Sequence, residues 1–337
     1  MNNRLINIGL FILFLIGLPL TVYAHNALSK LTAAPPIPAN PKRVVSLAPS
    51  VTETLFALGQ GPKVVGVTQY CEYPPEAKSL PVVAGFTDIN YEAVLRTRPD
   101  LVVLPVDKIA NQANLERLGL TTMSLDTRSL TGYMSTILTF GEAISSLPLA
   151  KQIVSRLEDS IQRAEKRAQN QPRPRVLFSV MHSYQGFGFI TEITAVGQDG
   201  FYNNMLELTG GQNVYDGPLA FPKLSREALI TLNPDVIIDL IQDPIHAEMA
   251  MADWRGLGKV KAVLTDRVYL FSDKSDTVPG PRIYKTIDKL SLSLFPPAPT
   301  PDGPGAGLET NPNAAKGPGD GLETSPNDAK GPGGGLE

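Results

Sequence analysis

The stretch Glu-Ala-Val-Leu-Arg-Thr-Arg-Pro-Asp-Leu-Val-Val, residues 92–103, returns 135 positions later as Glu-Ala-Leu-Ile-Thr-Leu-Asn-Pro-Asp-Val-Ile-Ile, residues 227–238. Glu, Ala, Pro and Asp recur at identical offsets, with apolar residues matched between them. Each copy reads as a short helix that stops at a proline, because proline removes a backbone donor and biases its predecessor toward extended geometry. The near-continuous apolar runs at 101–104 and 236–240 suit strands buried on both faces of a parallel sheet. A spacing of 135 is too long for a solenoid, whose repeats run about 20–50 residues. The predicted fold class is therefore α/β, with two similar parallel-sheet lobes and a cleft between them.

The chain on either side of the two copies fits this plan. In the first lobe, 42–146, strands are expected at 43–48, 64–67, 81–84, 101–104 and 121–125. Ser50-Val51-Thr52-Glu53 has the form of a capping box, and Asn90 and Ser225 stand where the repeat helices need caps. In the second lobe, 173–296, strands are expected at 175–180, 236–240 and 268–271, with a helix at 199–208 and a closing helix from 279 to about 294. Between the lobes, 147–172, Ile153, Val154, Leu157, Ile161, Ala164 and Ala168 recur at helical spacing. Pro148 is expected to break the preceding helix. No Gly or Pro occurs between Leu149 and Gln171, so one stiff connecting helix is predicted, roughly 30 Å long.

The two ends read differently. Arg4 precedes an apolar stretch, 5–18, and then Pro19 and Val22-Tyr23-Ala24, which predicts a secretory signal over 1–24 cut after Ala24. An uncleaved anchor helix is the alternative. Residues 25–41 are a proline-rich linker. The mature chain is expected as a monomer in the periplasm, without insertion in the membrane. Residues 297–337 hold a 14-residue Gly/Pro-rich tandem at 303–316 and 317–330. Such a composition cannot offset the entropy of ordering, so this tail is expected to be disordered.

Composition excludes several function classes. A net charge of −3 and no Lys/Arg-rich run argue against nucleic acid as a partner. One cysteine, Cys71, leaves no intrachain disulfide or thiolate cluster, and three separated histidines give no metal-ligand spacing. No Gly-x-Ser-x-Gly elbow, phosphate-binding Gly-x-x-x-x-Gly-Lys or dinucleotide fingerprint is present, so no catalytic residue, resident metal or cofactor is expected. An exported two-lobed enzyme remains the alternative from another class.

In parallel α/β lobes, ligands gather outside the carboxyl ends of the strands. The loops expected there, 48–50, 70–75, 85–90, 184–189, 219–222 and 272–282, are rich in aromatic residues: Tyr70, Tyr73, Phe86, Tyr184, Phe187, Phe189 and Phe221. Aromatic faces bury much area for little rotamer entropy, which suits a large flat ligand, although any of these rings could equally pack its own lobe. Ser50, Tyr70, Phe86, Tyr184 and Phe221 are the candidate ligand contacts, with Arg282 a candidate partner for an acidic ligand group. Glu92 and Glu227 each fall in a helix first turn, where the dipole favours an anion. Two equivalent carboxylates, one per lobe, also form a pair that a symmetric partner could grip with arginines.

Together, Arg43–Glu53, Tyr70-Cys71-Glu72-Tyr73-Pro74, Asn90-Tyr91-Glu92, Arg98-Pro99-Asp100-Leu101 and Ser225-Arg226-Glu227 resemble the helical-backbone (class III) periplasmic solute-binding proteins of ABC importers. The resemblance covers about residues 42–295 and is closest to the cobalamin-binding members. It implies a corrinoid held between the lobes by Tyr70, Phe86 and Phe221, and delivery to a permease dimer with its ATPase through Glu92 and Glu227. Phe86 and Phe221 depart from the tryptophans of the cobalamin binders, so a ferric siderophore or haem is the alternative ligand.

Overall fold

The structure, a computed structural model of the 337-residue chain, describes residues 37–85, 88–182, 189–198, 200–241 and 243–297. The leader, Phe86, Tyr184, Phe187 and the tandem repeats lie outside them. The first lobe comprises β1 (Val44–Ser46), α1 (Pro49–Ala57), β2 (Val64–Thr68), β3 (Val82–Ala84), α2 (Tyr91–Arg96), β4 (Leu101–Pro105), α3 (Ile109–Arg117), β5 (Thr122–Leu125) and α4 (Leu130–Ala143). Its five strands run parallel in the order β3-β2-β1-β4-β5. After α5 (Leu147–Ala168), the second lobe comprises β6 (Arg175–His182), β7 (Glu192–Ala195), α6 (Phe201–Leu208), β8 (Gln212–Asn213), β9 (Lys223–Ser225), α7 (Arg226–Leu232), β10 (Val236–Leu240), α8 (Ala247–Arg255), α9 (Lys261–Leu264), β11 (Val268–Phe271) and α10 (Tyr284–Leu294).

The two copies of the repeat fold alike, and for the same local reasons. The Asn90 side chain accepts from the Ala93 N–H at 2.9 Å to cap α2, and Ser225 accepts from Ala228 at 3.3 Å to cap α7. Each helix ends in a left-handed residue before its proline, Arg98 at φ 48° and Asn233 at φ 44°. The aspartate that follows has a second task. Asp100 accepts from the N–H groups of Lys42 and Arg43 at 2.7 and 3.0 Å, and Asp235 accepts from Arg175 N–H at 2.8 Å. Each thereby fastens the start of the neighbouring strand, setting β1 against β4 and β6 against β10 in parallel register. Every residue of β4 and β10 is buried, as the apolar runs predict.

The second sheet departs from a purely parallel plan. Its order is β11-β10-β6-β7-β9, with β8 beside β6, and β7 runs antiparallel to both β6 and β9. In β7, Ile193 and Ala195 are buried while Glu192 is exposed, the alternation of a strand with one solvated face. Beyond β7 the backbone packs tightly: Ala195 N–H donates to Pro222 O and Gly197 N–H to Ala220 O. A Cβ on Gly197 would collide with the Leu219 carbonyl, so only glycine lets residues 219–222 lie this close.

Helix α5 begins at Leu147 and ends at Ala168, short of the expected 172. Pro148 occupies its first turn rather than breaking the chain, because that position needs no backbone donor. Ala150, Ile153, Val154, Leu157, Ser160 and Ala164 are buried along one face, and the helix packs against α4 of the first lobe and α10 of the second. Each buried Ile, Val or Leu here contributes about 1.5–3 kcal/mol. Arg163 pairs with Asp288 on α10 at 2.8 Å, an exposed bond worth under about 1 kcal/mol. Burial, not charge, attaches the connector.

One expected cap is not formed. Pro49 starts α1 a residue before Ser50, which places Ser50 inside the helix, and Ala48 at the N-cap makes no side-chain bond. Glu53 is then turned away from the helix start and toward the second lobe.

Candidate ligand-binding cleft

In the first sheet, the chain leaves β1 for β2 on one side, whereas β4 lies on the other. Such a switch point opens a crevice between the loops that follow the two strands. Leu47–Ser50 and Pro105–Lys108 border it, and Val180, Leu240, Thr277 and Pro279 of the second lobe face them across a cleft of about 760 Å³. That volume lies within the range of small-molecule sites, about 300–1,000 Å³.

Two of the predicted aromatic contacts stand here. Tyr70 of the first lobe and Phe221 of the second both line the cleft, and they remain 48% and 58% exposed. The turn that presents Phe221 is the one held against Gly197. Ser50 also lines the cleft but is buried, and its carbonyl accepts the Thr54 hydroxyl at 2.7 Å. Phe86 and Tyr184 lie outside the described residues.

Arg282 lines the cleft but is engaged differently from expectation. Its Nε and Nη2 donate to Glu53 Oε2 and Oε1 at 2.8 and 2.6 Å, and its guanidinium lies 3.8 Å from the centre of the Tyr73 ring. The side chains are 16% and 3% exposed. Arg282 therefore joins the lobes, and its charge is committed to Glu53 rather than left for a ligand. Burial pushes the Glu53 carboxyl above its ordinary range, and the Arg282 bonds and charge pull against that. Glu72 and Lys274 form a second ion pair between the lobes, on the cleft lining.

Tyr73, Glu72, Asp107, Lys108 and Lys274 are lining residues absent from the candidate contacts. Tyr73 could have been chosen, since it shares a loop with Tyr70. Glu72 and Lys274 could not, because their pair joins segments 202 residues apart. Among the described lining residues the charges balance: Glu53, Glu72 and Asp107 against Lys108, Lys274 and Arg282. No group of three His, Cys, Asp or Glu side chains among the described residues could hold a metal ion.

Glu92 and Glu227 are exposed in the first turns of α2 and α7. Each helix follows a strand that runs toward the carboxyl edge of its sheet, β3 or β9, so both helices open at the edge that borders the cleft. Its own backbone N–H and the Ser225 hydroxyl hold Glu227 below the usual carboxylate range.

Residues 44–274 match the family model described as periplasmic binding protein. An uncharacterized ABC transporter substrate-binding lipoprotein of Bacillus subtilis is 30% identical over 266 residues, covering 76% of this chain and 81% of its own. A vitamin B12-binding protein of Vibrio cholerae is 29% identical over 275 residues, 77% of this chain and 91% of that one. Among solved structures, the periplasmic vitamin B12 binding protein BtuF of Vibrio cholerae aligns with a TM-score of 0.65 at 25% identity, over 75% of this chain and 96% of that one. The apo periplasmic heme-binding protein RhuT of Roseiflexus aligns with 0.62 at 25%, over 75% and 98%. Proteins of this kind bind substrates for transport and are not enzymes, which removes the exported-enzyme alternative. With its paired lobes, connecting helix and cleft, the chain belongs to the periplasmic binding protein family, the substrate-binding components of ABC transporters.

Proposed function

We propose that this protein captures a corrinoid in the cleft and delivers it to a permease dimer with its ATPase. On this reading it works in the periplasm as a monomer once residues 1–24 are removed. No described helix is long and apolar enough to cross a membrane. The observation that carries the ligand class is the pair Tyr70 and Phe221, half-exposed rings from different lobes on one cleft whose charges balance. Large exposed rings invite a cover, and a bulky ligand of little net charge can supply it without unpaired buried charge. The similarity to vitamin B12-binding proteins supports the same class. Glu92 and Glu227 are the transporter-facing residues on this reading, since both stand at the cleft edge of their sheets.

Haem or a ferric siderophore is the second reading. The Tyr70 phenol on the cleft lining offers an oxygen ligand to iron, and a heme-binding protein shares the fold. Calorimetric titration with cobalamin, cobinamide, haem and a siderophore panel decides between them. Corrinoid binding at least 100-fold tighter than the others is expected. A Soret band on reconstitution with haem, without corrinoid binding, refutes the corrinoid assignment.

A further inference from the structure

The 135-residue repeat sorts its own positions by task. Ala93 and Ala228 pack against the cores of their lobes, and Val94 and Leu229 are buried at 0% and 1%. Pro99 and Pro234 end the helices, and Asp100 and Asp235 fasten strands. Positions without a part in the fold differ between the copies, as Arg96 and Thr231 do. Two matched positions break this rule. One is the glutamate pair. The other is Leu95 and Ile230, which are 40% and 37% exposed and belong to no core cluster.

A lone aliphatic side chain on a surface needs no explanation. The same side-chain class at the same offset in both lobes, where each helix could carry any polar residue, does need one. Leu95 follows Glu92 by three residues and Ile230 follows Glu227 by three, so each apolar group shares a helix face with its carboxylate. We propose that Glu92 with Leu95, and Glu227 with Ile230, are two copies of one docking unit. The occupant is a two-fold symmetric membrane protein that offers, twice, an apolar socket beside a basic group. Two like units on one chain call for a partner that repeats its own site, and carboxylates beside each apolar residue disfavour an anionic lipid surface. This rests on the delivery reading above and adds the apolar half of the contact.

The test uses the cognate permease–ATPase complex in nanodiscs and reads the concentration of binding protein that half-maximally stimulates ATP hydrolysis. Leu95→Ser/Ile230→Ser should raise that concentration about 10–100-fold, as for truncation of central anchors, with each single variant in between. Ligand affinity should stay at the wild-type value and the protein should remain folded at the assay temperature, with a modest fall in melting temperature, because each side chain is only partly covered, at 40% and 37% exposed, and belongs to no core cluster. Glu92→Gln/Glu227→Gln, run in parallel, tests the delivery reading. Loss with the glutamine pair but a change under about twofold with the serine pair overturns the proposal and leaves that reading standing. No change with either pair overturns both. A wild-type dimer in sedimentation that the serine pair dissolves, with ATPase stimulation unchanged, assigns the surface to a second copy of this chain and overturns the proposal.

Discussion

Replacing Arg282 with alanine strips a nearly buried carboxylate of its cation. Glu53 is 3% exposed, and both of its oxygens accept from this one guanidinium. Breaking a buried pair from one side costs about 3–5 kcal/mol. The folded variant can escape part of that cost by taking a proton onto Glu53. Against an ordinary carboxyl value of 4.5, protonation at pH 7 costs about 3.4 kcal/mol, at about 1.36 kcal/mol per unit. The carboxylate part of the loss is therefore capped near 3.4 kcal/mol at pH 7 and near 0.7 kcal/mol at pH 5. Loss of the stack on Tyr73 adds about 0.5–1 kcal/mol at either pH.

The sign follows from burial, which raises the folded-state value of this acid. The folded state binds more protons than the unfolded one above pH 4.5, so stability falls as pH rises, and more steeply in the variant. Urea unfolding followed through Trp254, the single tryptophan and fully buried, measures this at pH 5 and pH 7. The expected loss is about 3–4 kcal/mol at pH 7 and about 1–2 kcal/mol at pH 5. Glu53→Gln/Arg282→Met should recover most of it. A pH-independent loss, or one under about 1 kcal/mol at pH 7, refutes the reasoning.

Two further outcomes concern the cleft. Tyr70→Ala and Phe221→Ala should each weaken ligand binding about 5- to 30-fold in calorimetry, with melting temperature held, since each ring is about half exposed in the free protein. Wild-type affinity in both variants would remove the aromatic pair from the site. Gly197→Ala should displace residues 219–222 and cost about 1–3 kcal/mol of stability, with a several-fold loss of affinity through Phe221, whereas Gly258→Ala, whose Cβ would meet only the Arg255 carbonyl at an ordinary 3.7 Å, is the control for a glycine lost without a collision. Unchanged affinity in Gly197→Ala, measured well below its melting point, would separate the turn from the site.

What the sequence disclosed and what it concealed divide along physical lines. β4 and β10 were legible because burial on both faces demands unbroken apolar runs, and the caps at Asn90 and Ser225 because capping is local. Local signals also misled. The capping-box pattern at Ser50 lost to Pro49, whose fixed φ suits the first helical position, and Glu53 was left to pair across the lobes. β7 and β9 escaped notice because four and three residues are too few to display a period. In the cleft, Tyr70 was legible as an aromatic on the loop that follows β2, whereas Phe221 reaches the same cleft from the turn that leads into β9 rather than from the carboxyl end of a strand. The role of Arg282 was not legible, because its partner lies 229 residues away and no single-chain spacing encodes such a pair.

The face of α5 that carries Ile153, Val154 and Leu157 belongs to a hydrophobic cluster that also takes in Val44 and Leu101 from one sheet and Val236 and Phe271 from the other. A domain whose interior is common property cannot be divided. Cut between its halves, either fragment would strand that interior in water, so the molecule should melt in one cooperative step, and limited proteolysis should release no surviving half. The same seamlessness makes the protein a poor hinge, and on the delivery reading proposed above its partner would meet a rigid token.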